Sequence, residues 1–260
     1  RTPRSTLFPY TTLFRSGNAL ALRVTEETVE FLERDLRVGG GYASSLDADA
    51  GGVEGSTYVW TPAQLADVLG ADDGAWAADL FGVTEAGTFE HGSSTLQLPR
   101  DPDETERWAR VRARLLAARA ARPQPARDDK VVLAWNAWAV SALAEAGALL
   151  DEPRWVDAAV RCRDALWDLH EADGRWFRVS RDGVRGDALA VLEDYAALAN
   201  AEFTLSAVTG CGPDRGLDLV AQLTSTFLDQ GRDTAADDVL ASAVDMSDNA
   251  TPSGWNLAAE

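Results

Sequence analysis

The sequence predicts a mainly α chain of helical hairpins with one small β-hairpin excursion. Segments that are apolar all round alternate with segments that carry only an apolar stripe, and the alternation recurs at a spacing of about sixty residues. Val131 to Leu150 is apolar nearly all round, as expected of an inner helix enclosed by others. Glu152 to His170 has only a stripe (Val156, Ala159, Val160, Leu166 and Trp167) and is expected outside it, with Asp151 and Pro153 capping and starting the helix. After a strand-like excursion from Gly174 to Val179, the pair recurs as Leu189 to Val208 and Gly216 to Leu228. Rings of such αα-hairpins close into toroids whose inner helices face a central depression.

The first half follows the same logic. Thr25-Glu26-Glu27-Thr28 opens an amphipathic helix through Leu36, which Gly39-Gly40-Gly41 ends. Tyr42 to Leu46 and Ser56 to Trp60 are β-prone stretches joined by an acidic, glycine-rich loop. Thr61-Pro62-Ala63-Gln64 combines an N-cap threonine, a proline at the first helical position and a glutamine three residues after the cap, so a helix must follow. The glycines, serines and proline between Thr84 and Arg100 indicate a long irregular connection, and Glu104 to Ala121 returns to helix with a strongly basic face.

The leading residues stand apart. Thr6 to Ser16 match the translation of a common short-read sequencing adapter, so residues 1–16 are read as a non-natural tail and residues 17–260 as one partial toroid domain. The last residues fall inside the first turns of a helix, and the chain is expected to be a fragment cut at both ends. No apolar run reaches membrane-spanning length. A net charge of −18 argues against a nucleic-acid partner, which needs a concentrated Lys/Arg surface. Cys162 and Cys211 form no redox motif or disulfide framework, and the default location is the cytoplasm.

Four acidic-aromatic blocks stand at predicted helix or strand starts, where polar groups can converge on a shared pocket: Asp47 to Gly55, Arg127 to Lys130, Glu193 to Ala196 and Asp248 to Gly254. Asp194 shares a helical face with Leu198, Ala201, Leu205 and Val208. An acid there is either a pocket acid with a raised pKa or a structural one, bonded to the first-turn amides of its helix or to a neighbouring arginine. Tyr195 beside it is a hydrogen-bonding wall or core. Asp128 and Asp129 precede an inner helix and can cap it, although Asp129 projects toward Leu133, Asn136, Val140 and Leu143. Trp135 and Asn136 supply the indole and amide that sugar pockets use, with core packing the alternative for Trp135, and Trp60 is a further candidate wall.

Asp47, Asp49 and Glu54 invite a calcium reading that fails, because Tyr58 stands where an EF-hand loop needs its bidentate glutamate and Gly51 occupies another ligand position. These acids are expected to shape a β-hairpin loop, some at the rim of a pocket. Pro252-Ser253-Gly254 marks an inner-helix start, with Asp248, Asn249 and Ser253 as polar candidates. His91 and His170 both lie outside the inner-helix motifs, which disfavours histidine-based epimerisation; paired carboxylates, with Asp194 and Asp129 or Asp128 as acid and base, are the better model for catalysis. No metal or cofactor is expected.

Gly-Gly-Tyr-Ala-Ser-Ser-Leu-Asp-Ala-Asp, Tyr58-Val59-Trp60-Thr61, Gly87-Thr88-Phe89-Glu90, Arg127-Asp128-Asp129-Lys130 with Trp135-Asn136, Asp194-Tyr195-Ala196 and Pro252-Ser253-Gly254 together resemble the spermatogenesis-associated protein 20 family from about Asn18 onward. Thr88 and Trp255 depart from it, each standing where the family usually has asparagine. The resemblance implies a thioredoxin-like domain followed by an (α/α)6 toroid of the six-hairpin glycosidase type, of which this chain holds an incomplete part. It implies a sugar-like ligand and, as partner, the N-terminal thioredoxin-like domain of the intact protein, whose redox motif this chain lacks. The alternative is a noncatalytic binding or scaffolding module serving that domain.

Overall fold

The computed structural model describes residues 19–234, 246–248 and 251–260; the adapter-like tail and Asn249 lie outside the described residues. The described chain is mainly helical and divides into two compact units, one of residues 19–45 with the described residues from 128 onward and one of residues 46–127. Among the described residues no helix is long and apolar enough to cross a membrane.

In the first unit, α1 (Ala19–Phe31) runs into a wider turn at Leu32–Leu36 and a two-stranded ribbon of β1 (Arg37–Val38) and β2 (Gly41–Tyr42). In the second unit, the acidic loop is itself a small hairpin of β3 (Asp49–Ala50) and β4 (Val53–Glu54), followed by α2 (Pro62–Leu69), α3 (Ala71–Phe81) and α4 (Thr105–Ala120). Its core is Trp60, Leu65, Leu69, Leu80, Phe81, Val111 and Leu115. Ser56 to Trp60 is not the expected strand. Tyr58 and Val59 both turn back on the Gly55 carbonyl, and only Trp60 bridges to Ser94. The reason is Arg122, which spans the turn by donating to Thr57 O at 3.0 Å and Val59 O at 2.7 Å while lying 3.8 Å over the Trp60 ring. The capping box at Thr61 is present, with Gln64 N–H donating to Thr61 Oγ1 and Thr61 N–H to Gln64 Oε1.

The first unit resumes with β5 (Val131–Val132), α5 (Leu133–Leu149) and α6 (Pro153–His170), then the hairpin of β6 (Glu171–Ala172) and β7 (Arg175–Trp176). β8 (Val179–Arg181) pairs antiparallel with both β9 (Val184–Arg185) and β5. Then come α7 (Leu192–Thr209), α8 (Asp214–Leu223), a wider turn at Thr224–Leu228, and the short α9 (Gly254–Ala258). Helix α7 packs against α5 on one side and α9 on the other, while α6 covers α5 and α8 covers α7. The sequence-predicted inner helices are therefore neighbours, with starts at Leu133, Leu192 and Gly254 that keep the sixty-residue spacing. Their shared core runs through Leu143, Leu166, Leu198, Leu205, Leu219 and Phe227.

A second local expectation changes. Asp151 does not cap α6; it sits at φ +56° in the reversal between α5 and α6, and Glu152 takes the N-cap position. Left-handed geometry is tolerated by aspartate better than by bulkier residues. His170, the last residue of α6, is fully buried, with Nδ1 2.8 Å from Phe177 O and Nε2 2.9 Å from Ser180 Oγ, and burial lowers its pKa. Because a carbonyl only accepts, Nδ1 carries the proton and Nε2 accepts from the serine.

Candidate functional site

The N-terminal ends of α5, α7 and α9 meet, and a buried carboxylate joins the first two. Asp194, in the first turn of α7, is 0% exposed. Its Oδ2 accepts from Val191 N–H at 3.0 Å and from Arg178 Nη1 at 3.1 Å, and its Oδ1 from Ala134 N–H of α5 at 3.1 Å. The preceding amide, Leu133 N–H, donates to Arg178 O at 2.9 Å. The opening amides of a helix have no partner inside it, so those of α5 are satisfied by residues distant in sequence. Burial pushes the Asp194 carboxyl up to about 6, against the pull of Arg178 and the two backbone N–H groups.

Arg178 also donates to Glu193 Oε2 at 2.9 Å, and the Glu193 side chain keeps 22% of its surface exposed. At the third helix end Ser253 Oγ caps α9 by accepting from Asn256 N–H at 3.2 Å, while Asp248 accepts from Ser253 N–H and the Asn256 amide. The Asn256 bond holds the Asp248 carboxyl below the usual range. Gly254 lies so close to α7 that a Cβ there would stand 2.9 Å from Glu193 N.

The Asp128 to Lys130 block leads into this region through β5. Asp128 does not cap α5, because Val131 and Val132 are extended and lie between; it accepts instead from Lys130 Nζ at 2.9 Å and from Lys130 N–H at 3.4 Å. The Lys130 bond holds its carboxyl low. Asp129 is half-buried beside that pair. Trp135, in the first turn of α5, is 47% exposed on an otherwise apolar helix. Asn136 is buried, and its amide holds β2 in place: Oδ1 accepts from Tyr42 N–H at 2.7 Å and Nδ2 donates to Tyr42 O at 3.1 Å and Val132 O at 3.0 Å. Tyr195 is buried edge-on against Phe227, with ring centroids 5.3 Å apart.

The structure thus brings Asp194 and Ser253 to adjoining helix starts, while the Asp128–Asp129 block lies ahead of β5, outside the first turn of α5. Asp47, Asp49, Glu54 and Trp60 belong to the second unit, the three acids exposed on or beside the β3–β4 hairpin and Trp60 buried beneath Arg122. Two site residues escaped the sequence reading. Arg178 sits in a stretch that signals only a strand, and Glu193 was noted only as the start of its block; an arginine shortly before an adjacent acidic pair is the one available signal.

The chain is 27% identical to human spermatogenesis-associated protein 20, in a match covering 70% of this chain and 29% of that protein. It is 23% identical to the uncharacterized Caenorhabditis elegans protein B0495.5, covering 77% of this chain and 33% of that one. Both similarities are distant, and this chain spans at most about a third of the relatives' length. No family model matches.

Proposed function

We propose that the first unit is part of a six-hairpin (α/α)6 toroid that binds a sugar-like ligand at the joined N-terminal ends of its inner helices. The observation that carries this reading is the convergence of three inner-helix starts, two of them locked by Asp194, with the exposed Trp135 in the first turn of one. Trp135 supplies a ring face for sugar C–H groups, and Glu193 and Asp129 supply carboxylate acceptors for hydroxyls. Asp194, with its pKa raised into the range a general acid uses, and Asp129 are the acid/base pair if the intact protein turns its ligand over. The distant likeness to spermatogenesis-associated protein 20 supports the same architecture. A second reading, binding without turnover in the service of a thioredoxin-like domain, draws support from the fact that both Asp194 oxygens already have partners.

Calorimetric titration of the chain with a panel of mono- and oligosaccharides tests the site. Binding is expected, and Trp135→Ala should abolish it without moving the urea midpoint. Absence of heat with every sugar overturns the proposal; bound sugar recovered unchanged from a full-length homologue selects the second reading.

A further inference from the structure

The arginines along and just beyond α4 differ in what answers them. Arg107 and Arg110 both pair with Asp73, at 2.8 and 3.1 Å, and Arg114 donates to the last carbonyls of α2, those of Val68 and Leu69. At the far end Arg122 donates through Nη1 alone, to Thr57 O and Val59 O, and this leaves its Nε–Nη2 edge unbonded and in reach of solvent. The exposed Arg119 lies 5.4 Å over the ring of Tyr58, the residue between those two carbonyls. Both guanidinium groups therefore stand on one turn. Among the described residues neither pairs with a carboxylate; Asp47, Asp49 and Glu54 in the same unit are exposed and bond to neither. Burial and the charge of Arg119 hold the Arg122 guanidinium below its usual range. Arg122 is also fixed in advance by two carbonyls and the Trp60 ring, so it loses little freedom on binding, and its open edge has the fork geometry of an oxyanion site.

We propose that Arg119 and Arg122, on the turn from Thr57 to Trp60, bind a phosphoryl dianion, free or as the head of a small phosphate monoester. The Nε–Nη2 edge of Arg122 receives two phosphoryl oxygens and Arg119 a third. Two guanidinium charges match a dianion better than a carboxylate. The site lies within the second unit and is independent of the sugar reading for the first.

The test is calorimetric titration of the chain with inorganic phosphate, glycerol 3-phosphate and acetate, at about pH 8 where the phosphates are dianions and in about 0.15 M salt. Phosphate is expected to bind at least about tenfold more tightly than acetate. Arg119→Gln, at an exposed position, should weaken phosphate about tenfold, and Arg122→Lys, which keeps the charge but loses the planar edge, by a similar factor. If Arg122→Lys does not fold, Arg119→Gln decides. Glycerol 3-phosphate binding more tightly than phosphate assigns the site to an ester, and equal binding assigns it to the phosphoryl group alone. Absence of heat with both phosphates, acetate binding as tightly as phosphate, or wild-type affinity in Arg119→Gln overturns the proposal.

Discussion

Helix α2 caps itself, whereas α5 is capped by a residue sixty positions later in the chain. Thr61 and Gln64 satisfy each other's backbone N–H groups across three residues, partly exposed to water and independent of any other element. At α5 no local side chain performs that task. Ala134 N–H finds Asp194 and Leu133 N–H finds Arg178 O, and both bonds exist only when α5, α7 and the strand region are assembled. A local cap biases one helix before folding; a distant one rewards correct tertiary assembly. The first therefore belongs to secondary-structure propensity and the second to cooperativity.

The difference should be largest when each cap is removed. Asp194→Ala leaves Ala134 N–H and Val191 N–H without their acceptor and Arg178 with Glu193 alone, and a loss of about 3–5 kcal/mol is expected from denaturant unfolding, the usual cost of breaking a buried charged network from one side. A stable Asp194→Asn variant that has lost sugar binding would instead place that carboxylate against the ligand. Its pH response should follow. Burial raises the folded-state carboxyl to about 6, above its value of about 4 in an unfolded chain, so the folded protein holds a proton the unfolded chain has released. Stability from this group is fully present below about pH 4 and is lost as pH rises through about 6, to a total of about 2–3 kcal/mol. The wild type should lose that much more than Asp194→Ala between about pH 4 and 7; parallel curves would mean that the two states titrate alike.

Gly254→Ala sharpens the comparison at the third helix end. Its new Cβ, 2.9 Å from Glu193 N, forces α9 away from α7, at a cost of about 1–3 kcal/mol in urea unfolding. An unchanged midpoint would show that the α9 start is free to shift. Thr61→Ala should have the smallest effect, about 1 kcal/mol. If it matches Asp194→Ala, the distinction between local and distant caps fails.

The same distinction decides what could be read from the sequence. The Thr61 box, the helices themselves and the irregular stretch after Thr84 are each encoded within one short segment, and they stand in the structure. The strand expected from Ser56 to Trp60 rested on β-propensity alone, and Arg122 outweighs it from sixty-odd residues away. Asp128 had the composition of a cap, but two extended residues separate it from α5 and Lys130 takes it instead. Burial of Asp194 followed from its apolar helical face, and a neighbouring arginine was one of its open alternatives; which arginine, and which second helix, depends on how β8 returns to β5. Asn136 had the chemistry of a binding residue, and nothing local reveals that its amide holds Tyr42, ninety-four positions earlier.

Helix α7 is fastened twice more along its length. Glu202, 5% exposed, accepts from Arg163 Nη1 at 2.9 Å and Trp167 Nε1 at 2.5 Å, both on α6. With Asp194 at its start and Glu202 near its middle, α7 is bolted to both members of the preceding hairpin. Repeat proteins in which each unit touches its neighbour only through apolar surface can gain or lose a unit without rewriting the others. Here a deletion or duplication of one hairpin would part Glu202 from Arg163 and Asp194 from Ala134, so α5, α6 and α7 should open to solvent exchange as one piece.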